Sequence, residues 1–352
     1  MISTPAIDVA AEPMRSAEKN RNSAGVLLIC HAAEALGIGH LMRMLALADA
    51  LRRVGMHNLQ MLILGEEVLR SELSHLTHRF LPLATDFTQA VRSQVEALSP
   101  QLVVFDLHPR YLSNELESLF AWLSQRDVRL VGVDSLLSFC KSLDLVWIPT
   151  FFIHQARLSD CPGNTKYGWD SYLIRKRLPS PDWTPGPRLL VLTGGSDATG
   201  QGESLPTLLD ANLSVGTTVH WVRGPYAKPP ALPAAARLEW VVHVAPEGLD
   251  DLIVVSNYAL CIFGVSFFEL LQYGIPTVVF SPYGGKDDPE LNALRGEQVA
   301  AVAADAESAV VELASLMNDR TTAERYSSSA KEKFSINGAD CLTGHIKALM
   351  DH

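Results

Sequence analysis

The stretch Leu27–Arg53, LLICHAAEALGIGHLMRMLALADALRR, runs from a short apolar strand through Gly37-Ile38-Gly39-His40 into an apolar-periodic helix. Leu41, Met44, Leu45, Ala48 and Leu51 fall on one face of that helix, the pattern of a helix laid against a sheet. Two glycines in three residues let the backbone turn sharply and present its N–H groups. The positive end of the helix lies at the same place, which suits an anion. This is one strand–loop–helix unit of an α/β sheet. It is not the dinucleotide fingerprint G-x-G-x-x-G, because Met42 stands where the third glycine belongs.

The same alternation continues outward. LQMLILG, QLVVFDL, VRLVGVD and LDLVWIP read as further strands, with helices at TQAVRSQVEAL and at SNELESLFAWLSQR, where Ser113 is the candidate N-cap. Residues 178–188, LPSPDWTPGPR, carry four prolines and one glycine, a linker composition. Strands and helices then restart at RLLVLTGG and run through TTVHWVRG, LEWVVHV, YALCIFG, SFFELLQYG and PTVVFSP, and the tail from Ala306 to Met350 reads as helices. The expected organisation is a disordered leader (1–24), a first Rossmann-like domain (25–177), a hinge (178–188) and a second Rossmann-like domain (189–352). Each domain is a doubly wound parallel sheet covered by helices on both faces.

Composition bounds the function. The 352 residues are enough for two ordinary domains, and the formal net charge of -10 without any Lys/Arg-rich block argues against nucleic acid as partner. No window has the length of apolar residues that a membrane helix needs, and the N-terminus lacks the apolar core of a signal peptide. The five cysteines (Cys30, Cys140, Cys161, Cys261, Cys341) are odd in number, scattered and without metal-ligand spacing. They are read as reduced thiols of a cytoplasmic protein.

In open α/β sheets ligands lie beyond the carboxyl ends of the strands, so the loops there carry the candidate residues. The first is Gly37–His40. The second is FDLHP, with Asp106 and His108. The third is LTGGSDATG, where Gly194, Gly195 and Ser196 offer N–H and hydroxyl donors to a pyrophosphate. The fourth is FGVSFFELLQYGIP, which turns through Gly264 and Ser266 into a helix bearing Glu269. A carboxylate accepts with two oxygens and so suits the two hydroxyls of a ribose. No P-loop lysine is present.

In this order the motifs resemble the GT-B nucleotide-sugar enzymes. GIGHLMRMLALADAL, YGWDSYLIRKRL, LVLTGGSDATG, FFELLQYGIPTVVF and INGADCLTGHI are similar to segments of one branch. That branch holds the UDP-sugar hydrolase of pseudaminic acid synthesis and its spore-coat-polysaccharide glycosyltransferase-like relatives. It is related to the peptidoglycan N-acetylglucosaminyltransferase. CHAAEAL replaces the Arg-x-Asp pair of the hydrolases, and HAAEALGIGHLMR looks more like the glycosyltransferases of the superfamily.

The resemblance implies two domains facing a central cleft, with a UDP-like donor held by the second and its sugar across the cleft. His40 is then the general base, with Asp106 and His108 as further catalytic candidates. Gly39, Gly194, Gly195, Ser196, Gly264, Ser266 and Glu269 hold the nucleotide. Asp197 braces its loop. Arg43 and, in YGGKDDPELNAL, Asn292 orient sugar or acceptor. No metal or other cofactor is implied, the nucleoside diphosphate being part of the substrate. The expected activity is transfer of a sugar to a small-molecule or glycan acceptor in surface-polysaccharide synthesis. Hydrolysis of the UDP-sugar by water, and a non-catalytic nucleotide-sugar-binding partner of a transferase, are the alternatives.

Overall fold

The computed structural model describes residues 25–68, 70–161 and 163–351. The leader expected at 1–24 lies outside them. The first sheet takes up β1 (Val26–Ala32), β2 (Leu59–Gly65), β3 (Thr77–Leu81), β4 (Leu102–Asp106), β5 (Arg129–Val133), β6 (Leu145–Trp147) and β7 (Thr165–Lys166) in the order β3-β2-β1-β4-β5-β6-β7. Its helices are α1 (Gly39–Arg53), α2 (Phe87–Leu98) and α3 (Glu115–Ser124).

The second sheet comprises β8 (Arg188–Leu192), β9 (Thr218–Arg223), β10 (Glu239–Val244), β11 (Tyr258–Ile262), β12 (Thr277–Phe280) and β13 (Ala301–Val302), ordered β10-β9-β8-β11-β12-β13. Its chain segment carries α4 (Gln201–Asn212), α5 (Asp250–Ile253), α6 (Val265–Tyr273), α7 (Asp288–Glu297), α8 (Ala306–Asn318), α9 (Arg320–Lys333) and α10 (Gly338–Asp351). The strand pairs in both sheets are parallel. In each sheet the order reverses beside the first strand, so a crevice opens at the carboxyl ends of β1 and β4, and again at those of β8 and β11.

Parallel sheets are buried on both faces, which is why β1, β4 and β11 are buried at every residue and apolar apart from His31 and Asp106 near the strand ends. The edge strand β3, THRFL, is exposed over its first three residues. Ser113 is not the side-chain cap of α3; Asn114 takes the N-cap place, and Ser113 contributes its carbonyl to the Leu116 N–H.

The domain limits of the sequence reading interleave in the structure. Helix α10 packs on α1, with Ala339, Leu342 and Ile346 in the same core as Leu41, Met44 and Leu45. It therefore belongs to the first sheet, not to a unit spanning 189–352. Its entry is fixed by Asn337, whose Oδ1 accepts from the Ala339 N–H at 2.9 Å, and by Gly338, where a Cβ would lie 2.4 Å from the Tyr172 carbonyl oxygen. Conversely, Tyr172 and Ile174 are core residues of the second sheet, Tyr172 stacking on Phe268 at 4.0 Å. The chain thus crosses between the units twice. The Pro-rich 178–188 segment lies along the second unit: Leu178 N–H donates to the Tyr273 hydroxyl, Ser180 to the Gln272 carbonyl, and Trp183 packs edge-on against Tyr258.

Two cysteines depart from the expectation of reduced thiols. Cys140 and Cys161, with Cα atoms 5.6 Å apart, form a disulfide. The turn after β5 and the loop after β6 bring them together, and a separation of 21 residues carries no signal of that pairing. Cys30 and Cys261 are buried free thiols, pushed up in pKa chiefly by burial. No helix of the described residues is long and apolar enough to cross a membrane.

Candidate active site

The first half of the site is built where β1, β4 and β5, neighbours in the sheet, end together. After β1 the chain turns through Gly37, at φ +74°, and starts α1 at Gly39 with no side-chain cap on its free N–H groups. His40 and Arg43 are one turn apart on α1, so both reach the end of β4. His40 Nδ1 lies 2.7 Å from Asp106 Oδ1. Arg43 clamps the same carboxylate in a fork, Nε to Oδ2 and Nη2 to Oδ1, each at 2.8 Å, and Nη2 reaches Asp134 Oδ2 at 3.0 Å.

Asp106 is fully buried. Burial alone would raise its carboxyl, but the Arg43 guanidinium and the His40 bond outweigh it and hold it lowered. It stays a carboxylate with both oxygens engaged. Buried and fully bonded, it fixes the position of the His40 ring. Arg43 Nη2 also approaches His40 Nδ1, at 2.9 Å. A proton shared with a carboxylate is the stronger, charge-assisted arrangement, so we assign the Nδ1 proton to the bond with Asp106. That tautomer leaves Nε2 with a lone pair to act as base. Arg43 was expected to orient sugar or acceptor. Its guanidinium is occupied by two aspartates and only 12% exposed, which makes it the anchor of the dyad instead.

His108 follows β4 and sets its ring edge-on to His40, centroids 5.7 Å apart. Its backbone N–H donates to Nδ1 of His31 at 3.2 Å. His31, the penultimate residue of β1 and buried, stacks on Tyr111 at 4.7 Å. Burial, then the neighbouring His40 and His108, push His31 down to about 4, so it stays a neutral acceptor. Neither His31 nor Asp134 was among the sequence candidates. Asp134 follows the last residue of β5 and holds φ +61°; the strand-end rule that singled out Asp106 applies to it equally. His31 lies inside an apolar strand and carries no such signal.

The second half lies at the ends of β8 and β11. Gly194, at φ +87°, Gly195 and Ser196 are exposed in the loop after β8. Asp197 accepts from the Gln201 and Gly202 N–H groups at 2.9 and 2.7 Å, capping α4. That is the bracing role expected of it. Gly224, which sequence reasoning passed over, runs so close beneath this loop that a Cβ would lie 2.3 Å from the Gly195 oxygen. Helix α6 opens after Gly264, also exposed, with no side-chain cap. Phe267 and Phe268 are core residues, which accounts for the bulk of this segment. Ser266 hydrogen-bonds the half-buried Glu269, and burial together with the Asp250 carboxylate pushes Glu269 up to about 7.

Asn292 does not join the site. It is exposed and bonds Arg295 on its own helix. Glu290, two residues earlier and so on nearly the opposite side of α7, faces the first unit. With Asp134, Pro109 and Ile153 it bounds a cavity of about 270 Å³. Lys286 acts electrostatically on His108, and Arg70 of the first unit on Glu269. The two halves therefore face one cleft.

No family model and no curated protein sequence matches the chain. Solved structures do. Phytolacca americana UGT2 complexed with UDP-2fluoro-glucose and pterostilbene is 13% identical with a TM-score of 0.64, over 94% of this chain and 100% of the other. Acinetobacter baumannii MurG is 14% identical with a TM-score of 0.61, over 92% and 99%. A putative UDP-N-acetylglucosamine 2-epimerase from Listeria monocytogenes is 13% identical with a TM-score of 0.64, over 93% and 97%. The chain has the two-domain GT-B fold.

Proposed function

We propose that the chain is a glycosyltransferase that takes a sugar from a UDP-like donor, with His40 as general base. The observation that carries this reading is the buried Asp106–His40 dyad, anchored by Arg43 and set in one cleft with an uncapped helix start, a glycine loop and a half-buried glutamate. The bond broken joins the anomeric carbon to the β-phosphate oxygen. The bond formed joins that carbon to an acceptor hydroxyl, whose proton goes to His40 Nε2. Negative charge grows on the leaving diphosphate, where the N–H groups of Gly194–Ser196 and of the α6 start are preorganised to receive it. Gly39 and the start of α1 add donors from the other side. Glu269 accepts from the ribose hydroxyls. The cavity beside the dyad favours an acceptor over water. The test is to incubate the protein with a panel of nucleotide sugars and follow diphosphate release with and without added alcohols. Acceptor-dependent release supports transfer. Release independent of acceptor turns the reading to hydrolysis, and no release with any donor overturns both.

Glu269 supplies a second check, because it does two opposed things. A carboxyl raised to about 7 in the fold stabilises nothing at alkaline pH. The folded state binds its proton more tightly than the unfolded chain, so stability falls as pH climbs from the ordinary carboxyl range through 7. Glu269→Gln keeps the shape and removes that charge. The ligand-free variant is expected to be more stable than wild type at pH 8, by about 1–3 kcal/mol, and equal to it near pH 4. At pH 8 it should bind UDP about 1–3 kcal/mol more weakly, the loss of a charge-assisted bond. Urea denaturation and calorimetric titration read the two separately. Unchanged affinity for every nucleotide removes Glu269 from the site.

A further inference from the structure

The cavity between the units is built from two segments of the first sheet that cannot move independently. Asp134, Ser135 and Leu137 come from the turn after β5; Thr150, Phe152 and Ile153 come from the loop after β6. The Cys140–Cys161 disulfide joins these two segments. Asn164 ties them again, its Nδ2 donating to the Cys140 and Leu143 carbonyls at 3.0 and 2.7 Å. The wall is therefore preformed, and a ligand loses little free energy in ordering it.

Its chemistry is uneven. Leu137, Ile148, Phe152 and Ile153 supply an apolar floor. Thr150 spends its hydroxyl on the Phe152 backbone, accepting at 3.2 Å and donating at 2.9 Å. Two carboxylates keep acceptor capacity: Asp134 bonds Arg43 through Oδ2 alone, and Glu290 has no hydrogen bond or ion pair among the described residues. The one cation of the lining, Arg157, is on the exposed rim. The volume, about 270 Å³, lies below the roughly 300–1,000 Å³ of sites for drug-sized ligands. Asp134 also touches Arg43, and Pro109 follows His108, so the cavity adjoins the dyad.

We propose that this cavity is the acceptor site and that its acceptor is a compact, single-ring alcohol or phenol with an apolar body, uncharged or cationic. This rests on the transfer reading above, and it names what the sugar is transferred to. An anionic acceptor, such as a lipid pyrophosphate, meets Asp134 and Glu290 from the two sides of the cleft. A ring bearing an ammonium or only a hydroxyl meets acceptors there and apolar side chains below.

The experiment uses the full chain without nucleotide, so it does not depend on turnover. Tyramine, para-ethylphenol and para-hydroxyphenylpropionate share one phenol skeleton and differ in charge. Ligand-observed NMR titration is expected to give tyramine and para-ethylphenol measurable affinity. The carboxylate should be about tenfold or more weaker than tyramine, the scale of one screened charge contact. Glu290→Gln should shrink that ratio about threefold without loss of para-ethylphenol binding, and Ile153→Trp, which fills the floor, should abolish all binding while thermal unfolding stays cooperative. Carboxylate binding as tight as tyramine, no binding by any probe, or a charge ratio untouched by Glu290→Gln overturns the proposal. If the phenols bind as expected and no nucleotide sugar is turned over, the cavity stands and the transferase reading falls. If sugar is released but the phenols fail to bind, the reverse holds.

Discussion

His40→Asn turns over at least ~100-fold more slowly than wild type while folding normally and binding nucleoside diphosphate with unchanged affinity. The size follows from the loss of general-base catalysis, typically about 10²–10⁴-fold in rate. The selectivity follows from the geometry. The Asn side chain is close in size to the proximal half of imidazole, so its amide reaches Asp106 and keeps that buried carboxylate partnered. An amide cannot take a proton from an acceptor hydroxyl. The Gly194–Ser196 loop and the α6 start belong to the other sheet and make no hydrogen bond to His40 among the described residues, and Gly39 offers only its backbone N–H, which the substitution leaves in place. A direct assay of diphosphate release, with calorimetric titration of UDP, separates the two quantities. If the variant binds and turns over like wild type, His40 is only a loop residue. The base is then His108, whose ring stands beside it.

The fold was legible wherever both faces of a strand are buried. The runs of β1, β2, β4, β5, β8, β11 and β12 are apolar at nearly every position. Strand β3 escaped because an edge strand has a solvent face, and THRFL looks like loop. β7 and β13 are two residues each, too short to show a period. The sequence announces α10 as a helix but not its destination. Docking on α1 is a tertiary fact, and only Asn337-Gly338, a cap followed by a close backbone approach, hints at it.

The site was legible by position and not by role. The strand-end rule found His40, Asp106 and His108, which the structure brings together. It does not say that Asp106 is sealed from substrate, or that Arg43 is fully used by two aspartates. Those roles depend on distances across three strands, which spacing along the chain does not encode. Asp134 was within reach of the same rule. Asn292 was inferred from a family position; the helix phase puts Glu290 on the cleft side instead.

Arg43→Met is expected to destabilise the protein by about 3–5 kcal/mol at pH 8, because it strands a fully buried carboxylate. The pH dependence identifies the cause. In the wild type Asp106 is held below its ordinary value, so its stabilising contribution is present above the unfolded carboxyl range and is lost as pH falls through the folded value. Without the guanidinium, the burial that already opposes ionisation has only the His40 bond against it, and the carboxyl rises. The variant's folded state then binds a proton more tightly than its unfolded state, so acid relieves the penalty. Urea denaturation of both proteins at pH 8 and pH 5 should show the gap shrinking toward the lower pH. A gap that is constant with pH, or below about 1 kcal/mol, contradicts the buried-charge account. The double variant Arg43→Met/Asp106→Leu separates stability from chemistry. Replacing a whole buried ion pair by apolar groups is often neutral or better, so most of the loss should be recovered. His40, left with no carboxylate on Nδ1, should remain as slow as His40→Asn. Recovery of the fold without recovery of the rate means that the Arg43–Asp106 pair exists to aim the histidine; recovery of both means that it exists only for the fold.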